Sequence, residues 1–105
     1  MARCNFTEHA TEDLRSIIRY TRQTWGVKQA QLYKQELELS LTRLGERPDM
    51  GRKREDIATG VRSFRVADHI AFYASRRGGI TILRLLHPSM DVAMAFEQEP
   101  DKDKT

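Results

Sequence analysis

The stretch ILRLLHPSMD, residues 82 to 91, places Arg84 inside an apolar run and His87 at its end, with Pro88 and Asp91 just beyond. An imidazole titrates near neutrality, so His87 is available both as proton donor and as acceptor. A guanidinium stays charged and presents a rigid fork of donors that suits carboxylates and phosphates. Two readings are open. In one, His87 bonds a loop carbonyl or Asp91, and Arg84 pairs with Asp68, Asp91 or the carboxyl end of a helix. In the other, both side chains line a surface that meets nucleic acid or protein, joined by Arg62 and Arg65 from an earlier run, VRSFRV.

Other reactive residue types offer less. His9 and His69 have no metal-ligand spacing with Cys, Asp or Glu, and Cys4 is the sole cysteine, so neither a metal site nor an intrachain disulfide is expected, and no cofactor. Arg52, Lys53 and Arg54 are followed at once by Glu55 and Asp56, the pattern of a solvated loop. Tyr73 alternates with Phe72 in an apolar run and is expected to pack, and Trp25 is expected to anchor a helix corner in the core.

The elements that position these residues follow from periodicity. Thr7 can cap a helix whose first turns carry Glu8, Glu12 and Asp13, and whose apolar stripe is Ala10, Leu14, Ile17, Ile18, Thr21 and Trp25. Gly26 breaks it, and a second helix from about Val27 to Leu44 buries Ala30, Tyr33, Leu37, Leu41 and Leu44 before Gly45 and Pro48. Leu32 and Leu39 lie beside that stripe and either widen the buried face or give a partner a foothold. Residues 46 to 60 read as a charged loop. Then VRSFRV (61 to 66), HIAFYAS (69 to 75) and ITILRLLH (80 to 87), separated by turn signals, make an antiparallel meander.

Strict alternation puts Ile80, Ile82, Arg84 and Leu86 on one face of the last strand and Leu83, Leu85 and His87 on the other. If the domain's own helices leave Ile80, Ile82 and Leu86 uncovered, they form a partner-binding patch. With a brief strand at residues 2 to 6, the fold class is α+β: two N-terminal helices packed on one face of a small antiparallel sheet, in the order β-α-α-β-β-β. A short C-terminal helical segment capped by Asp91 follows.

Bulk properties set the frame. With 105 residues, 39% hydrophobic and 31% charged, the chain supports one domain, residues 1 to 97, followed by a disordered charged tail at 98 to 105. The net charge of +3 and a pI of about 9.3 admit anionic partners without naming one. No apolar run is long enough to span a bilayer and no signal-peptide order opens the chain, so a cytoplasmic protein without membrane association is expected.

Taken in order, "EDLRSIIRYTRQTWG", "QAQLYKQELELSLTRL", "RPDMGRKRED", "GVRSFRVADHIAFYAS" and "ILRLLHPSMD" resemble the RelE/ParE superfamily of bacterial toxins, and its ParE branch most closely, over about residues 2 to 96. The ParE resemblance implies a toxin that inhibits DNA gyrase without catalysis and is neutralised by a ParD-like antitoxin, which alone contacts operator DNA. The RelE branch implies instead a ribosome-dependent messenger-RNA nuclease. Metal-free RNA cleavage needs a group to activate the 2'-hydroxyl, an acid for the leaving oxygen and cations for the phosphate, and Arg62, Arg84 and His87 would supply part of that set. Pro88 directly after His87 departs from the nuclease pattern.

Overall fold

The computed structural model describes residues 3 to 97; the tail expected at 98 to 105 lies outside them. The chain forms β1 (Arg3–Phe6), α1 (Glu8–Trp25), α2 (Val27–Glu46), a 3-10 turn (Pro48–Met50), β2 (Arg52–Lys53), β3 (Val61–Val66), β4 (His69–Arg76), β5 (Gly79–Leu86) and α3 (Val92–Glu97). The α+β class and the β-α-α-β-β-β order are as the sequence indicates, with one addition. Residues 46 to 60 are not all loop: Arg52 and Lys53 pair antiparallel with Ser63 and Arg62, a two-residue strand too short to leave a periodic trace.

Local chemistry explains the helix boundaries. Thr7 Oγ1 accepts from the Ala10 amide at 3.1 Å and donates to the Leu83 carbonyl at 3.0 Å, so the cap also fastens the start of α1 to β5. Gly26, at φ 98°, turns the chain between α1 and α2 in a conformation that a Cβ would penalise. Helix α2 runs through Gly45 to Glu46. Asp91 Oδ1 accepts from the Met94 amide at 3.1 Å and caps α3.

The sheet order is β1-β5-β4-β3-β2. Strands β3, β4 and β5 form the expected meander, and β1 joins the β5 edge in parallel, Arg3 opposite Gly79 through Phe6 opposite Ile82. The sheet is therefore mixed. Two hydrophobic clusters lie on its opposite faces. Under α1 and α2 sit Ala10, Leu37, Leu41, Leu44, Val66, Ala71, Tyr73, Ile80, Ile82 and Leu85. The other face holds Val61, Phe72, Leu86 and Ala95, with Ile57, Val92 and Phe96 packed around them.

A bulge resets the faces of β5. Phe72 stands opposite Arg84 while the next residue, Tyr73, stands opposite Ile82, so Leu83 is the extra residue. The alternation expected from sequence therefore fails. Ile80 and Ile82 share the helix-covered face with Leu85, and Leu86 turns to the opposite face with Phe72. All three supposed patch residues are enclosed by the protein itself, at 0%, 0% and 1% exposure for Ile80, Ile82 and Leu86.

One further expectation about burial reverses, at Trp25, and one open alternative is decided, at Leu32 and Leu39. Trp25 is 69% exposed and does not anchor the core. Eighteen residues make α1 about 27 Å long, and its buried residue is Ala10, near the start, so its C-terminal end overhangs the sheet. Leu32 and Leu39 are 51% and 53% exposed, so they do not widen the buried face of α2.

Candidate functional site

The basic residues singled out in the sequence are dispersed and largely engaged. Arg84 meets neither Asp68 nor Asp91. Its Nε and Nη2 donate to the two carboxylate oxygens of Asp13 at 2.7 and 3.0 Å, and its Nη1 donates to the Ala95 carbonyl in α3 at 2.9 Å. With side chains 11% and 14% exposed, this is a largely but not fully buried bidentate pair, and Asp13 also accepts from the Leu85 amide at 3.0 Å. The bulge beside Arg84 aims its fork at α1.

Arg62 Nη1 donates to the Gly51 carbonyl at 2.6 Å and so pins the segment leading into β2. Beside it the Tyr73 hydroxyl donates to the Pro48 carbonyl at 2.5 Å and accepts from the Gly51 amide at 2.9 Å, which accounts for a fully buried tyrosine that packs, as expected. Burial raises the Tyr73 pKa, opposed by the Gly51 hydrogen bond and by Arg62. Arg54 is likewise structural: it forks onto Asp56 at 2.9 and 3.0 Å and lies 5.4 Å from the Phe72 ring centre. Arg65 is exposed, its Nε donating to the Ala67 carbonyl at 3.0 Å.

His87 follows the end of β5 and is exposed. Its Nδ1 lies 2.8 Å from Ser89 Oγ and accepts from the Ser89 amide at 3.1 Å, rather than meeting a loop carbonyl or Asp91. The ring packs edge to face on His69, with centres 5.7 Å apart. His69 lies opposite Val66 at one end of β3, whereas Arg62 is four residues back along that strand, about 13 Å away. Arg62, Arg84 and His87 are thus not gathered into one constellation.

What the fold does bring together is a set of which the sequence reading singled out only His87 as a site candidate. An open cleft of about 620 Å³ lies where the overhanging end of α1 and the start of α2 face the β3–β4 turn. Its walls include Ile17, Tyr20 and Trp25 from α1, Tyr33 from α2, and Asp68, His69 and His87 from the strand ends. That volume is in the range of sites that enclose a small ligand or a few side chains of a partner. The Tyr33 hydroxyl accepts from the Asp68 amide at 2.9 Å and lies 2.8 Å from His69 Nδ1, with the donor of that second bond set by the tautomer of the ring. Burial lowers the His69 pKa, as does the neighbouring His87, with a lesser opposing influence from Asp68. Burial raises the Tyr33 pKa.

One signal could have located this pairing. His69 opens β4 and His87 directly follows β5, and the two are nearly symmetric about the Arg77–Gly78 turn, so closing the hairpin makes them neighbours. The contribution of α1 and α2 had no such signal.

Together these features define a small α+β domain with a helical hairpin on a mixed sheet, an interior held by charge-assisted bonds, and an aromatic cleft suited to binding. The model of the family described as ParE toxin of type II toxin-antitoxin system, parDE, matches residues 5–92. Toxin ParE1 of Caulobacter vibrioides is 37% identical over 87 residues, covering 81% of this chain and 88% of that protein. Toxin ParE1 of Mycobacterium tuberculosis is 36% identical over 84 residues, covering 79% and 86%. Toxin ParE of Escherichia coli is 33% identical over 87 residues, covering 82% and 84%. A solved structure titled chromosomal ParDE TA system from P. aeruginosa shares the fold, with a TM-score of 0.69 at 22% identity, covering 83% of this chain and 96% of that one. The chain belongs to the ParE toxin family of type II toxin-antitoxin systems.

Among the described residues no helix is long and apolar enough to cross a membrane, and no group of three or more His, Cys, Asp or Glu is placed to hold a metal ion.

Proposed function

We propose that this toxin acts in the cytoplasm by binding DNA gyrase through a protein interface, without a catalytic site of its own, and that a ParD-like antitoxin neutralises it. The observation that most supports a binding mode is the fate of the three basic candidates. Arg84 is committed to Asp13 and Ala95, Arg62 to Gly51, and His87 stands at the far end of the sheet beside His69. A phosphate-cleaving assembly needs cations and a proton donor converging on one point, and these three do not converge.

Antitoxin capture takes place, on this reading, along the helical hairpin rather than the sheet face. Tyr20, Trp25, Val27, Leu32 and Leu39 are all more than half exposed there, whereas Ile80, Ile82 and Leu86 are enclosed. Of the polar candidates, Arg65 and His87 remain accessible for partner or target contacts. Operator DNA is reached only through the antitoxin.

The test is purified toxin, free of antitoxin, added to gyrase supercoiling and DNA-cleavage assays and in parallel to ribosomes translating a defined message. Loss of supercoiling or accumulated gyrase–DNA breaks, with intact message, is the expected result. Message cut at the ribosome would instead establish the nuclease reading.

A further inference from the structure

The two imidazoles in the cleft are chemically unequal, and the inequality points to a ligand. In both rings Nδ1 is already engaged: in His69 by the Tyr33 hydroxyl, in His87 by the Ser89 amide and hydroxyl. A neutral ring with Nδ1 accepting carries its proton on Nε2, so His87 offers an Nε2–H donor, and His69 offers one when the Tyr33 hydroxyl donates to its Nδ1; no hydrogen bond among the described residues takes up either Nε2. The Ser89 amide cannot reverse its direction, which keeps His87 Nδ1 an acceptor. The Tyr33 hydroxyl can rotate, leaving its oxygen to accept from a protonated His69 Nδ1 as well as from the Asp68 amide. His69 is thus the ring that can gain a charge without orphaning a partner.

We propose that the cleft is a carboxylate-binding subsite, in which His69 and His87 hold one acidic side chain of the antitoxin while a neighbouring apolar side chain of the same segment lies against Tyr20 and Trp25. This rests on the antitoxin reading above and specifies its chemistry. Charge complementarity favours an acidic partner: the toxin carries a net charge of +3, and Arg65 adds positive potential at His69. The aromatic wall supplies the apolar half, with Tyr20 and Trp25 65% and 69% exposed.

Proton linkage follows from the groups around His69. Facing it are Tyr33 from α2, Arg65 from β3, Asp68 from the turn, Asp13 from α1 and His87 after β5. In the free toxin burial, His87 and Arg65 outweigh Asp68 and Asp13 and hold the ring neutral. A carboxylate in the cleft adds an opposite charge, so docking draws a proton from solvent onto His69 Nδ1. Affinity therefore rises as pH falls, by about three- to sixfold between pH 8 and pH 6 for one pKa unit of upward shift on binding, because the free ring titrates below its ordinary value.

The experiment is calorimetric titration of the toxin with the antitoxin encoded beside it, at pH 6, 7 and 8, in buffers of different ionisation enthalpy. Expected are net uptake of a fraction of one proton, about three- to sixfold tighter binding at pH 6 than at pH 8, and loss of both the uptake and the pH dependence in His69→Gln, with weaker binding overall. Because that variant could be destabilised, the His69 imidazole is also followed by NMR in the wild-type protein, where its pKa should rise on complex formation. Tight binding that is independent of pH, with no change at His69, overturns the carboxylate subsite and leaves the antitoxin reading intact. No binding of the antitoxin to wild-type toxin at any pH overturns both.

Discussion

Replacing Asp13 with alanine tests whether Arg84 is a structural residue. The carboxylate accepts three hydrogen bonds, two from the Arg84 fork and one from the Leu85 amide, and so ties α1 to β5 at the bulge. Removing one member of a buried ion pair costs about 3 to 5 kcal/mol where the remaining charge loses its only compensation. Residual exposure of 11% and 14% lets water reach the guanidinium, and Arg84 keeps its bond to the Ala95 carbonyl, which places this case near the lower end, at about 3 kcal/mol. Against a total stability of about 5 to 15 kcal/mol the variant should still fold. In a domain of this size such a loss lowers Tm by about 12 to 24 °C. Calorimetry or circular dichroism reads the shift directly. Adding Arg84→Met to Asp13→Ala removes the guanidinium that has lost its carboxylate and should restore about 2 kcal/mol, a coupling that separate, independent roles would not show. A Tm within about 4 °C of wild type for Asp13→Ala, or strict additivity in the double variant, would refute the reasoning.

The remaining predictions follow from single contacts. Trp25→Ala should alter stability by no more than about 0.5 kcal/mol because the side chain is exposed, yet should weaken antitoxin binding by about 2 kcal/mol, roughly thirtyfold, if the cleft is the docking surface; unchanged affinity in a titration would exclude Trp25 from the interface. Tyr73→Phe orphans the Pro48 carbonyl and the Gly51 amide and should cost about 1 to 3 kcal/mol at neutral pH in urea unfolding. Since the folded pKa of Tyr73 lies above its unfolded value of about 10, its stabilising contribution is complete below that pH and is lost as pH rises through the folded value, so the variant should lose less stability than wild type in alkali. Ala67 holds φ 54° in the β3–β4 turn, a left-handed conformation that costs a residue with a Cβ about 1 kcal/mol or more, so Ala67→Gly should be neutral to stabilising, and a loss above about 1 kcal/mol would contradict that account.

Much of the architecture was legible because it depends on local order. The Thr7 cap, the Gly26 corner, the Asp91 cap and the alternating runs of β3 and β4 are signals carried by a few neighbouring residues, and each specifies backbone geometry before any tertiary contact forms. So were the packing of Tyr73 and the absence of a cysteine pair. The order and spacing of these pieces also carried the family resemblance.

What the chain's own order could not decide is where one element stops covering another. The bulge at Leu83 inverts the face of Leu86 and turns the Arg84 fork toward Asp13, seventy-one residues away in sequence; a period-two pattern holds no record of an inserted residue until the partner strand sets the register. Trp25 follows helical spacing as well as the buried residues do, and only the packing of the end of α1 leaves it in water, whereas Leu32 and Leu39 lie off the stripe of Leu37 and Leu41 that the core buries. The cleft arises in the same way. Its imidazoles come from two strand ends and its aromatic wall from an overhanging helix, so the residue types belong to the sequence while their convergence belongs to the packing of α1 and α2 on the sheet.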